Sequence, residues 1–235
     1  MRALLFNAAF YSWSFLCFVV CLPLLVAPRG WVRAANRVWI GGILLLLRWI
    51  VGLSHRVLGA EHIATLPVIY AIKHQSAWET LALSVLVPRG VFILKQELLK
   101  IPLFGWYLRK TGQIAIDRAA GANALRTMLA KASHARDDGH SLLIFPEGTR
   151  VPPGEHLPYQ PGIAALYHKL GVPVVPVALN SGLFWARRML CKRPGRITIQ
   201  FLPPIPPGLD RRDFLRRLER TIEEASQALA STSRF

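Results

Sequence analysis

The chain has 235 residues, 52% of them hydrophobic, which suffices for one sizeable core and is short for two full domains. Its 29 Lys and Arg against 13 Asp and Glu leave a formal charge of +16, suited to anionic lipid, nucleic acid or a phosphorylated substrate. Nucleic acid falls behind the other two, because no arginine-rich arm, zinc-finger spacing or aromatic RNA-binding consensus occurs.

The first 60 residues hold Arg2, Arg29, Arg33, Arg37, Arg48 and Arg56, no acidic residue, and Trp13, Trp31, Trp39 and Trp49. Indoles and arginines beside long apolar runs suit a membrane interface, where one end of each side chain is apolar and the other wet. The stretch FYSWSFLCFVVCLPLLVA, residues 10–27, is 18 residues without a charge and reaches spanning length. The next, VWIGGILLLLRWIVGL at 38–53, is shorter and interrupted by Arg48. Two full spans would put the basic PRGWVRAANR loop and the basic region after Leu53 on opposite sides, against the positive-inside bias. A helical hairpin dipping into one leaflet removes that conflict. A cleaved signal peptide fits less well, since its basic region would be Arg2 alone and another apolar segment follows at once. Cys17, Cys21 and Cys191 read as packing residues in a reducing compartment, not as a disulfide or metal framework.

From residue 61 short apolar runs alternate with amphipathic ones. PVIYAI (67–72), VFIL (91–94), QIAI (113–116), SLLIF (141–145), VPVVPVAL (172–179) and RITIQF (196–201) read as strands. Helical stretches lie between most of them, as at 119–136, where Leu125, Met128 and Leu129 share a face. The pattern predicts an α/β body with a mainly parallel central sheet flanked by helices at 59–235, preceded by the membrane-embedded hairpin at 1–58. Sites in such sheets lie at the carboxyl ends of strands. The proline-rich LPPIPPG at 202–208 is a stiff connector to a last helix. That helix repeats Phe214, Leu215, Leu218, Ile222 and Leu229 among Arg211, Arg212, Arg216, Arg217 and Arg220. It packs on the body or, on the sharper reading, touches the membrane surface.

Three strand ends carry candidate chemistry. His74 closes the run PVIYAIKH, and the helix that follows has Ser76 as its expected N-cap and Glu79 in its first turn. Two positions five apart on one helix diverge by roughly 140°, so His74 and Glu79 meet only if His74 lies outside the helix, as the pattern places it. A carboxylate there could fix the imidazole tautomer and leave the other nitrogen to take a proton from an alcohol. The plainer reading is a helix-start acid beside a polar loop histidine. The second end, FPEGTR, offers Glu147, Gly148, Thr149 and Arg150 in a tight turn suited to a phosphate monoester. The third, QIAIDR, supplies Asp117 and Arg118, either a second phosphate ligand or a surface ion pair.

KHQSAWE (73–79), KQELLKIPLFGWYLRKTGQIAIDR (95–118), FPEGTR (145–150) and VPVVPVALNSG (172–182) resemble, in order and spacing, the four blocks of the glycerolipid acyltransferases, the family of 1-acyl-glycerol-3-phosphate O-acyltransferases. The hydrophobic hairpin is similar to that of bacterial members. The resemblance implies acyl transfer from acyl-CoA or acyl carrier protein to the 2-hydroxyl of 1-acyl-glycerol 3-phosphate, giving phosphatidic acid. It implies His74 as general base, Glu79 as its partner, and Arg118, Glu147, Gly148, Thr149 and Arg150 as substrate-binding residues, with Lys95 as a further phosphate or carrier contact. It implies no cofactor beyond the thioester co-substrate and a catalytic domain on the cytoplasmic face of the cytoplasmic membrane; no metal is expected, since neither His62 nor His74 has partners at ligand spacing. One position departs from the pattern: Glu79 stands where the family usually has Asp. That departure keeps two alternatives open, a transferase acting on another lysolipid and an inactive protein that binds anionic lipid.

Overall fold

The computed structural model describes residues 2–87, 89–186 and 191–233. Seven strands form one sheet: β1 (Leu53–Leu58), β2 (Ile69–Ile72), β3 (Gly90–Lys95), β4 (Ile114–Ile116), β5 (Ser141–Ile144), β6 (Val174–Leu179) and β7 (Gly195–Phe201). Their order is β1-β7-β6-β2-β5-β3-β4. Every pairing is parallel except β6 with β7. The ends of β6, β2, β5, β3 and β4 therefore lie along one edge of the sheet.

The helices are α1 (Arg2–Val20), α2 (Arg29–Leu46), α3 (Trp78–Leu86), α4 (Phe104–Lys110), α5 (Gly121–Asp137), α6 (Pro161–Leu170) and α7 (Arg211–Ser231). The apolar runs of the sheet alternate between two cores. Ile69 and Ala71 of β2 face one, with Met128, Ile163 and Phe214 from α5, α6 and α7. Tyr70 and Ile72 face the other, with Trp78 and Leu83 of α3. A strand buried on both faces reads as an unbroken hydrophobic run, which is why β2, β5 and β6 show no polar alternation.

The second core extends across the boundary expected at residue 58. Phe6, Ile43, Leu47 and Val51 of the hairpin belong to the same buried cluster as Tyr70, Trp78 and Val177, so the hairpin covers a face of the sheet. Gly52, at φ +77°, closes the second helical segment in the left-handed conformation that glycine adopts freely, and β1 begins at the next residue. The sheet thus includes the six residues up to that boundary, with Leu53–Leu58 paired to Gly195–Gln200 of β7.

The hairpin helices also begin earlier than their uncharged stretches. α1 starts at Arg2 and gives way beyond Val20 to a 3-10 turn, Leu22–Leu25, that holds Pro23 at its start. α2 starts at Arg29 and runs on through a π-turn, Leu47–Val51. The indole Nε1 of Trp13 donates to the Trp39 carbonyl at 2.9 Å, and that of Trp39 donates to Ser14 Oγ at 3.0 Å. Tyr107 of α4 donates to the Phe18 carbonyl at 2.7 Å, fixing the hairpin to the body. Both helical segments are long and apolar enough to cross a membrane. Their outer surface leaves Leu4, Tyr11, Phe15, Val20, Trp31 and Trp49 more than half exposed, apolar surface suited to lipid.

The last helix packs on the body, the plainer of its two sequence readings. Phe214, Leu218 and Ile222 enter the first core. Phe214 stacks on Tyr167 at 3.9 Å between ring centres. Asp210 caps the helix, accepting from Arg212 and Asp213 N–H at 2.8 and 2.9 Å.

Candidate active site

The loop after β2 folds onto the start of α3, whose N-cap is Ala77, one residue later than the expected Ser76, with no side-chain cap bond of its own. Ser76 Oγ accepts from Trp78 N–H at 3.1 Å, and Glu79, three residues after Ser76, reaches back so that Oε1 accepts from Ser76 N–H at 2.6 Å. The same oxygen accepts from Gln75 N–H at 2.8 Å and lies 2.9 Å from His74 Nδ1. The reach of glutamate suits this arrangement, in which the side chain must fold back over the start of its own helix. Glu79 is fully buried. Its other oxygen, Oε2, accepts from Ser181 Oγ at 2.8 Å. With every carboxylate contact donated to it, Nδ1 of His74 carries the proton toward Glu79, and Nε2 is the nitrogen left for chemistry.

His74 is outside α3, as the spacing required. Its main chain is held at both polar groups: N–H donates to Glu147 Oε2 at 2.7 Å, and C=O accepts from Val151 N–H at 2.8 Å. Its ring stacks on Phe145 with centres 3.9 Å apart. The imidazole therefore has little rotational freedom.

Around it lies a cavity of about 1220 Å³. His74, Lys95, Arg118, Gly148, Thr149 and Arg150 line it, and so do Phe18, Trp39 and Ile40 of the hairpin and Leu98, Phe104 and Leu108 beyond β3. One cavity thus joins polar groups from the ends of β2, β3, β4 and β5 to an apolar wall. Arg118 Nη1 donates to the Gly148 carbonyl, which ties the third strand end to the FPEGTR turn. Gly148 has φ +70°, and a Cβ there would sit 3.1 Å from the Arg118 guanidinium, so a side chain would be strained and would crowd that arginine. Asp117 does not pair with Arg118; it caps the short turn after β4 by accepting from Ala119 N–H at 3.0 Å.

Glu147 departs from its expected place among the substrate contacts. It is 2% exposed and does not line the cavity. Oε2 accepts from the His74 N–H and Oε1 lies 2.6 Å from Lys73 Nζ, so both oxygens face protein groups. Burial pushes its carboxyl above the usual carboxylate range, against the opposing pull of Lys73 and of the His74 N–H.

Ser181 escaped the sequence reading although its block was recognised. Only the adjacency of β6 and β2 brings it to Glu79, and no local pattern encodes that. Removing its hydroxyl leaves a buried carboxylate oxygen short of a donor. Ser181→Ala is expected to cost about 1–3 kcal/mol in thermal or denaturant unfolding and to lower kcat with little change in KM.

A family model described as Acyltransferase matches residues 54–180. The 1-acyl-sn-glycerol-3-phosphate acyltransferase of Pseudomonas aeruginosa is 36% identical over 200 residues, spanning 85% of this chain and 77% of that one. The protein of the same name from Limnanthes douglasii is 32% identical over 206 residues, spanning 81% and 72%. The crystal structure of the 1-acyl-sn-glycerophosphate acyltransferase of Thermotoga maritima matches with a TM-score of 0.70 over 97% of this chain and 98% of that one. At 23% identity that likeness speaks for the fold. By the extent of the family match and the identity to these relatives, the chain belongs to the acyltransferase family, among the 1-acyl-sn-glycerol-3-phosphate acyltransferases.

Proposed function

We propose that the protein transfers a fatty acyl group from a thioester, acyl-CoA or acyl carrier protein, to the 2-hydroxyl of 1-acyl-glycerol 3-phosphate, yielding phosphatidic acid. The observation that carries this reading is the His74–Glu79 pair opening on a cavity that also holds Arg118 and Arg150. His74 Nε2 takes the proton of the 2-hydroxyl as its oxygen attacks the thioester carbonyl, and Glu79 stabilises the imidazolium that forms. When the tetrahedral adduct collapses, the C–S bond breaks and the imidazolium returns the proton to the departing thiolate. No serine or cysteine nucleophile is required, since the attacking oxygen belongs to the acceptor.

Arg118 and Arg150 are assigned to the acceptor phosphate, for which the guanidinium fork is the best geometric match, with Thr149 and the Gly148 turn beside it. Lys95 is assigned to phosphate or carrier contact at the cavity mouth. Glu147 shapes the turn from within. The apolar wall supplied by the hairpin is assigned to acyl chain, and the exposed face of the hairpin to one leaflet of an anionic membrane, with the catalytic edge on the cytoplasmic side. The phosphate of a lysolipid then stays at the surface while its chain stays in lipid.

The arginine assignment is tested by kinetics on Arg150→Ala and Arg118→Ala with 1-acyl-glycerol 3-phosphate and with 1-acylglycerol. Each variant is expected to lose about 10–100-fold in kcat/KM for the phosphorylated acceptor, the worth of one charge-assisted contact, and little for the other. Equal losses on both acceptors would remove the arginines from phosphate recognition.

A further inference from the structure

Beneath the site lies a largely buried cluster of charge, with Glu223 at its partly exposed end, that the reaction does not consume. Lys73, 2% exposed, places Nζ 2.6 Å from Glu147 Oε1 and 2.9 Å from both carboxylate oxygens of Glu223. Glu223 Oε1 also accepts from Tyr159 OH at 3.1 Å. Glu223 belongs to α7, 43 residues beyond the end of the family match at 180. One ammonium and two carboxylates are thus shared by the strand that ends in His74, the FPEGTR turn and the C-terminal helix.

Stability alone gives no reason for this cluster. Desolvating an ammonium and two carboxylates costs several kcal/mol per ion, and packed apolar residues of the same volume commonly serve as well or better. What the cluster supplies is direction. Glu147 Oε2 receives the main-chain N–H of His74, while Oε1 is held by Lys73, and Lys73 is held in turn by Glu223. Lys73 is itself fixed through its own N–H, which donates to the Val177 carbonyl at 3.0 Å. The cluster therefore holds the main chain of the residue that carries the base, whereas Glu79 holds its ring.

We propose that Lys73 and Glu223 are positioning residues for His74, forming with Glu147 a buried strut by which α7 becomes part of the catalytic apparatus. The inference rests on His74 being the general base. Neither Lys73 nor Glu223 lines the substrate cavity, so they act through Glu147 and not on substrate.

The charge count selects the variants. Losing either carboxylate leaves one lysine with one glutamate, a balanced pair, whereas losing Lys73 leaves two carboxylates facing each other. Glu223→Gln is therefore the informative substitution. It is expected to fold and to lower kcat by about tenfold with KM for lysolipid and thioester unchanged, as loss of alignment at a base does. Glu223→Asp, which keeps the charge on a shorter stem, is expected to recover part of that loss. The second readout needs no substrate: the Nδ1 proton resonance of His74 in protein labelled with 15N-histidine, assigned by its absence in His74→Ala. It is expected to shift or broaden in Glu223→Gln. Folded Glu223→Gln with unchanged kcat and an unchanged His74 resonance would overturn the proposal, and so would a rise in KM at unchanged kcat. Should Glu223→Gln lose the fold, Glu223→Asp carries the same two readouts. If wild type acylates no lysolipid, the functional reading fails while the resonance still tests the strut.

Discussion

Replacing His74 by alanine is expected to lower kcat by about 10²–10⁴-fold, the contribution of a general base, with KM for the acceptor little changed. The fold should survive, because the imidazole lies at the wall of a cavity and stacks on one side only, against Phe145. Its main-chain bonds to Glu147 and Val151 do not depend on the side chain. A steady-state assay of thiol release from the thioester, at saturating acceptor, reads the effect directly. A loss confined to KM would place His74 in binding and leave the proton transfer without a base. Wild-type turnover in His74→Ala would remove the chemistry from this strand end altogether.

Glu79→Gln should cost at least about a hundredfold in kcat, for a reason that Glu79→Asp can separate. Glutamine keeps the length of the side chain, and its carbonyl oxygen can replace Oε1 as acceptor for the N–H groups of Gln75 and Ser76. Its amide can donate to Ser181, whose hydroxyl is free to turn round. These contacts therefore persist while the negative charge beside the imidazolium is lost. Aspartate keeps the charge but is shorter by one carbon–carbon bond, about 1.5 Å, so it cannot hold the N–H of Ser76 and the imidazole together from the same backbone position. Its expected signature is a loss of stability as well as of kcat, detected by thermal unfolding beside the assay. Equal kcat for Glu79→Asp and wild type would mean that the helix start adjusts, and that the contact with Ser76 N–H is dispensable to the base.

The strands that were legible in the sequence are those whose apolar runs stand between turn residues. β1 was not, because Leu53–Leu58 follows directly on the apolar run of α2 and only the left-handed Gly52 separates them. The pairing of His74 with Glu79 was legible because both partners lie within one strand-to-helix turn. Lys95, Arg118 and the Gly148–Arg150 turn were legible as strand ends, and a parallel sheet gathers its strand ends along one edge. The inward orientation of Glu147 was not legible, since a sequence does not say which residue of a tight turn faces inward. Ser181 and Glu223 lie 102 and 150 residues from the partners they meet, Glu79 and Lys73. Contacts at such range exist only once strand order and helix packing are set, so no local spacing foreshadows them. The hairpin was recognised as apolar, but its second role, closing one face of the sheet core, depends on Phe6, Ile43, Leu47 and Val51 meeting strands they do not neighbour in the chain.

The most direct test is a product balance for purified wild-type protein in anionic vesicles, with acyl-CoA and acyl carrier protein as alternative donors. The assay counts phosphatidic acid formed per thiol released, with 1-acyl-glycerol 3-phosphate and, separately, with 1-acylglycerol. The predicted result is one phosphatidic acid per thiol with the phosphorylated acceptor on at least one donor, and little transfer to the acceptor that lacks phosphate. Thiol release without acylated product, or equal transfer to both acceptors, would contradict the account.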